Sequence, residues 1–184
     1  RSACDASLTR LGVDVIDLYY LHRVDPAVPL AESWGALSEL VAAGKVRSLG
    51  LSEVTTVQAD EAHAIHPVAA IQSELSLWTR DALGEGVNAD GVATGDLVDW
   101  TRLHDAVFVP FSPLGRGFLT GALKTTELSA NDFRSGLPRF SAEAADANQR
   151  LVDAVRAVAH EHDTTPAAVA LAWVLAQGEH VIPI

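Results

Sequence analysis

The sequence predicts an α/β protein built on a parallel sheet, and three observations carry that expectation. Short apolar, β-branched runs alternate along the chain with longer stretches of helical period. Gly or Pro stands at most of the boundaries between them. Of the 184 residues, 48% are hydrophobic and 20% charged, which is enough apolar material for one sizeable core and too little charge for a disordered chain.

Taken in order, residues 3–11 read as the end of a helix closed by Gly12. A first strand is expected at 13–22 (VDVIDLYYLH), too densely apolar to be a half-exposed edge. Residues 30–43 place Leu30, Trp34, Leu37, Leu40 and Val41 at helical steps before Gly44. The pattern repeats with a strand at 46–52 (VRSLGLS) and a helix at 56–65 that ends before Pro67. A third strand is expected at 69–76 (AAIQSELS), then a loop at 79–94, rich in Gly, Asp and Asn. A short helix at 96–103 leads to a fourth strand at 106–112 (AVFVPFS). The Gly-punctuated stretch 114–141 has the length of a functional lid or a disordered segment.

A helix at 142–162 carries Leu151, Val152, Val155, Val158 and Ala159 on one face. Thr165-Pro166 then supplies an N-cap and a proline at the first position of a helix over 167–177. Residues 181–184 open a fifth strand, and no linker interrupts residues 1–184, which read as one domain or part of one. Five parallel strands with intervening helices fit either a doubly wound sheet or a (β/α)8 barrel.

Charge and cysteine content narrow the function classes. Lys and Arg total 13 against 24 for Asp and Glu, a net charge of −11, which disfavours nucleic acid as a partner. One cysteine excludes an internal disulfide and any Cys-based metal cluster. There is no apolar run of about 18 residues and no signal peptide, so the expectation is a cytoplasmic protein with no membrane partner. The chain starts at Arg1, holds no Met and stops in an apolar run, so the expectation is a piece of a longer protein, a processed mature protein being the other reading of the missing Met.

Both fold options gather ligands at the C-terminal ends of the strands. Polar or aromatic side chains stand at those ends: His22, Ser52, Gln72 with Glu74, and Phe111-Ser112. Taken alone, His22 is either a core histidine satisfied by a carbonyl or a neutral imidazole donating to a substrate oxygen. Ser112-Pro113-Leu114-Gly115-Arg116-Gly117 is either an ordinary tight loop or a turn whose N–H groups cradle a diphosphate. Gly121 falls one position late for G-x-G-x-x-G, so no such fingerprint is present. Phe111 either stacks on a planar ring or belongs to the core. Asp17, inside an apolar strand, is expected to anchor a neighbouring backbone or Lys. His63 with His66, and His160 with His162, lack a third ligand at zinc-like spacing, so no metal is expected.

Several of these segments together resemble the aldo-keto reductases. SLTRLGVD at 7–14 followed by IDLYYLHR at 16–23 is similar to the middle signature of that family. GKVR at 44–47, GLSE at 50–53, QSE at 72–74, SLWTR at 76–80 and FSPLGRGFLTG at 111–121 continue the resemblance. Phe133-Arg134, Pro138-Arg139-Phe140 and Ile182-Pro183-Ile184 complete it, in the family's order.

The resemblance implies an incomplete (β/α)8 barrel with about five of its eight βα units, from the end of the third helix to the eighth strand. It implies reduction of small aldehydes or ketones by hydride transfer from NADPH. Under it, His22 matches the catalytic histidine, and Ser52 and Gln72 match the groups that hold the nicotinamide carboxamide. Phe111 takes the place of the aromatic under the nicotinamide ring. Ser112, Pro113, Leu114, Gly115 and Gly117 match the loop along the diphosphate, and Arg139 is placed to reach the phosphates. The family's Asp, its proton-donating Tyr and its Lys match nothing here, so this chain alone is expected to be close to inert. Leu75 stands where the family usually has Tyr, and 81–94 looks like an insertion. The alternative implied function is a non-catalytic, NADP(H)-binding redox sensor on the same fold.

Overall fold

Strands β1 (Ile16–Leu21), β2 (Val46–Ser52), β3 (Val68–Glu74) and β4 (Val107–Phe111) pair in that order, every neighbour parallel. The structure is a computed structural model that describes residues 1–87, 91–123, 128–129 and 131–184. Residues 88–90 of the first expected loop, and 124–127 and 130 of the second, therefore lie outside the described residues. The sequential strand order decides between the two fold options. A doubly wound sheet reverses its order at a switch point, whereas a barrel adds each strand beside the last.

The helices form where their caps say they should. They are α1 (Ser2–Leu11), α2 (Leu30–Ala42), α3 (Thr56–Ile65), α4 (Leu97–Leu103), α5 (Ala142–Glu161) and α6 (Pro166–Leu175). Gly12 closes α1 in the left-handed region, its N–H on the Leu8 carbonyl. A capping box opens α3: the Thr55 side chain accepts from the Gln58 N–H, and the Gln58 side chain accepts from the Thr55 N–H. Asp96, Ser141 and Thr165 cap α4, α5 and α6 in the same sense.

The core lies between the sheet and the helices. Leu49, Leu51, Ile71 and Phe108 point to that side and are fully buried, beside Trp34 of α2. The Trp34 indole N–H donates to the His66 carbonyl at 3.0 Å, tying α2 to the end of α3. Burying that ring contributes on the order of 4 kcal/mol before entropy is counted. The other face of the sheet carries Leu18, Tyr20, Ser48, Gln72 and Val109, all at least partly exposed.

Two expectations need correction. The first strand is an edge: among the described residues β1 pairs only with β2, and Leu18 is 37% exposed. Its density of apolar residues reflects two faces with different fates. Tyr19 and Leu21 pack on the core, while Leu18 and Tyr20 lie on the open face. Asp17 anchors neither backbone nor Lys but pairs with Arg47 of β2 at 3.0 Å. The fifth strand appears as a single parallel bridge, Phe108 to Val181. Ile182 and Ile184 donate to the Phe108 and Pro110 carbonyls at 2.9 and 3.0 Å, so residues 181–184 do lie along β4.

A second apolar cluster of Phe118, Phe140 and Val152, with Trp78 and Leu137 against it, pins the long loop to α5. Short 3-10 turns at Phe118–Thr120, Phe133–Gly136 and Pro138–Phe140 break up that loop.

Candidate functional site

Because all four strands are parallel, their C-terminal ends share one edge, and the sequence-predicted residues gather there. His22 follows β1 directly and is exposed, which removes the reading of a buried core histidine. Its backbone carbonyl accepts from Arg23 at 2.6 Å. Ser52 and Gln72 are register partners on adjacent strands. Ser52 is 2% exposed, and its hydroxyl accepts from the same Arg23 guanidinium at 3.0 Å. Arg23 therefore roofs Ser52 and must swing aside for a ligand to reach that hydroxyl.

Gln72 is half-buried and opens onto the face that the helices do not cover. Its neighbour there is Tyr20, which the sequence reading missed. Gly50, opposite Tyr20 in register, has no side chain because the tyrosine ring occupies that space. A Cβ at Gly50 would stand 2.4 Å from Tyr20 Cε1. The phenol is raised above its ordinary value by burial, partly offset by a hydrogen bond with Gln72. Gly50 was the available signal, but it means nothing until the register puts it beside Tyr20.

Phe111 ends β4 on the same open face, half-buried and outside the core clusters. The chain then turns sharply. Ser112 and Arg116 adopt φ of 55° and 56°, and Glu53, just past β2, adopts 54°. Such conformations in non-glycine residues concentrate at ligand sites. Gly115 and Gly117 turn their N–H groups inward onto the Ser112 and Leu114 carbonyls, at 2.9 and 3.1 Å. The N–H groups of Leu114 and Arg116 make no hydrogen bond among the described residues. These two, rather than the glycine amides, are available to an anion.

Beside the turn, an open groove of about 530 Å³ is lined by Ser112, Arg116, Phe133 and Arg134. The Arg116 guanidinium lies 5.4 Å from the Phe133 ring centroid, and its Nε is buried without a partner among the described residues. Arg134 is held by Asp132, whose carboxyl is lowered to about 2 by hydrogen bonds from the Arg134 side chain and backbone.

Arg139 is engaged elsewhere. Its two terminal nitrogens donate to the two oxygens of Glu74 at 2.6 and 3.0 Å, and its guanidinium lies over Trp78. Thr79 and Arg116 also donate to Glu74, at 3.0 and 3.3 Å. Burial pushes the Glu74 carboxyl up, but Arg139, Thr79 and Arg116 outweigh it and the net shift is downward. This cluster walls a cavity of about 400 Å³ with Glu53, Ser73 and Asp81. Asp81 is raised there by burial and by the Glu74 charge.

Chemically, the rim offers two adjacent hydrogen-bonding side chains (Ser52, Gln72), an aromatic edge (Phe111), an imidazole (His22) and a turn with spare N–H groups beside an arginine nitrogen without a partner among the described residues. Among the described residues no three His, Cys, Asp or Glu side chains come together as metal ligands. No described helix is long and apolar enough to cross a membrane.

Over its whole length the chain is similar to known proteins. The family model described as "Aldo/keto reductase family" matches residues 1–184. The chain is 45% identical over 184 residues to "Probable aldo-keto reductase 1" of Glycine max, covering 100% of itself and 50% of that relative. It is 42% identical to an aldo-keto reductase of Strobilurus tenacellus, covering 53% of that protein. Among solved structures it is similar to a glycerol dehydrogenase of Gluconobacter oxydans, with a TM-score of 0.86 and 31% identity over 100% of this chain and 53% of the other. The chain thus spans about half the length of the curated relatives it matches.

Proposed function

The chain belongs to the aldo/keto reductase family, and from that premise we propose that the full-length protein reduces small aldehydes or ketones to alcohols with NADPH. The parallel sheet is then part of the family's (β/α)8 barrel. The observation that carries the reading is the adjacency of Ser52 and Gln72 at the strand ends, with Phe111 and the Ser112–Gly117 turn beyond them.

NADPH supplies the hydride when bound. The residues of this chain hold and orient. Ser52 and Gln72 would hold the nicotinamide carboxamide, Ser52 once its hydroxyl is free of Arg23. Phe111 would support the ring. Ser112, Pro113, Leu114, Gly115 and Gly117 shape the turn, whose Leu114 and Arg116 amides would hold the phosphates. His22 would direct the carbonyl oxygen of the substrate. Arg139 serves indirectly: with both ends on Glu74, it sets the position of Arg116 rather than reaching the phosphates itself. The family's proton-donating tyrosine has no counterpart among these residues, so we place proton transfer in the part of the relatives' length that this chain does not span.

The test is turnover of a reactive aldehyde by the full-length protein, with glycerol and related polyols tried in the oxidative direction because of the Gluconobacter likeness. His22→Ala is expected to lower kcat about 10²–10⁴-fold while NADPH binding, read by fluorescence, stays within about twofold. Tight NADPH binding with only one slow turnover by the unmodified protein would overturn the reductase reading in favour of a redox sensor.

A further inference from the structure

We propose that His63 is a pH-sensitive latch on β3: its Nδ1 holds the backbone N–H of Val68, and a proton taken up at that nitrogen releases the first residue of the strand. The latch lies at the N-terminal end of the sheet, opposite the rim described above, and is independent of the NADPH reading.

The geometry fixes the role of each ring nitrogen. The Val68 N–H donates to His63 Nδ1 at 3.3 Å. Only an unprotonated nitrogen accepts, so the neutral ring carries its proton on Nε2. His104, the C-cap of α4, is the opposite tautomer. Its Nδ1 meets the Trp100 carbonyl at 2.8 Å, and a carbonyl only accepts, so there Nδ1 carries the proton and Nε2 is bare. The two histidines therefore answer acid differently. His104 takes a proton at Nε2 and keeps its bond to Trp100. His63 takes one only at Nδ1, which turns the acceptor into a donor facing another donor. Val68 is 2% exposed, so an amide released there reaches no water unless the strand end moves.

The surroundings also oppose a charge on His63. Its ring stands edge-on to Trp100 and to His104, at centroid distances of 5.6 and 5.0 Å, and Trp100 stacks on His104 at 4.0 Å. The Trp100 indole N–H donates to Asp60 at 2.7 Å, which ties α4 to α3 across the same group of rings. Two charges act on His63: Asp60 from its own helix and His104 from α4. At this end β3 presents Val68 and Ala69, and α2 presents Trp34, whose indole holds the His66 carbonyl. Burial and His104 lower the imidazole below its ordinary value, and Asp60 offsets them only in part. The folded ring thus binds its proton less readily than the unfolded chain does. The stability it contributes is complete above about pH 6.5 and drains away as pH falls from there through the lowered folded value.

The experiment follows hydrogen exchange of the Val68 amide in the full-length protein, corrected for the pH dependence of intrinsic exchange. Between about pH 7.5 and about pH 5, its protection is expected to fall roughly 3–10-fold, the worth of one neutral hydrogen bond. His63→Asn offers an amide oxygen to the same N–H and takes up no proton, so its Val68 protection should stay level over that range. A merely structural histidine would give the same pH profile before and after the substitution. The nitrogen spectrum of the imidazole rings needs no variant and checks the tautomer directly: His63 is expected to carry its proton on Nε2 at about pH 7.5. Level protection in the unmodified protein, an equal fall in His63→Asn, or a proton on His63 Nδ1 at that pH overturns the inference.

Discussion

Glu74 concentrates the electrostatics of the rim in one carboxylate. It accepts from Arg139, Arg116 and Thr79, and its side chain is only 12% exposed. Its arginine partners keep about a quarter of their side-chain surface in solvent, so the network is worth less than a fully buried one. Glu74→Gln is expected to cost about 1–3 kcal/mol in urea unfolding. The pH response has a definite sign. The folded carboxyl sits below its ordinary value, so its stabilisation is complete above about pH 4.5 and drains away as pH falls through the folded value. Asp81 acts oppositely: its raised carboxyl strains the fold at neutral pH, and the strain is relieved as pH falls through that raised value. Urea midpoints followed down to about pH 3 should therefore show a loss that Glu74→Gln reduces, the remainder including the likewise lowered Asp132. Residue types at the site were legible because Ser52, Gln72 and Phe111 each close an apolar run. Glu74's hold on Arg139 was not, because its partner lies 65 residues away and nothing local announces it.

Helices and strands differed in how plainly they were written. The cap of α6 and the stop of α1 are local, made of residues within a turn of each other, and both lie where the sequence puts them; the α3 capping box is equally local. Thr55→Ala removes one half of the α3 capping box and should cost about 1 kcal/mol, read as a shift in the urea midpoint. Strand ends and faces depend on neighbours instead. β1 looked like a central strand because its apolar residues are dense, and only its pairing shows that half of them face outward. The same dependence makes Gly50 a strong element-level prediction. Gly50→Ala should cost about 1–3 kcal/mol through overpacking against Tyr20, and Tyr20→Ala should remove most of that cost. A double-mutant cycle by chemical denaturation checks the coupling.

At the scale of the molecule, the sheet is covered on one side only. Leu18, Tyr20, Gln72 and Val109 lie on the open face, and β1 carries an unpaired strand edge among the described residues. Expressed alone, the 184-residue polypeptide should self-associate at micromolar concentration and show no reductase turnover, whereas Leu18→Lys should shift its sedimentation toward monomer. Monodisperse behaviour of the unmodified polypeptide would sink that prediction. Sequential strand order, introduced above as a way to tell two folds apart, also bears on biosynthesis. Among the described strands each of β2, β3 and β4 pairs with the strand made just before it, so none of them waits for a strand still to be translated. At the usual pace of synthesis a new βα unit leaves the ribosome every few seconds, and each can dock on the previous one as it emerges. The growing sheet would then move only one of its two edges, from strand to strand, while β1 holds the other, and a stalling-peptide readout along the chain should rise in steps at the ends of β2, β3 and β4.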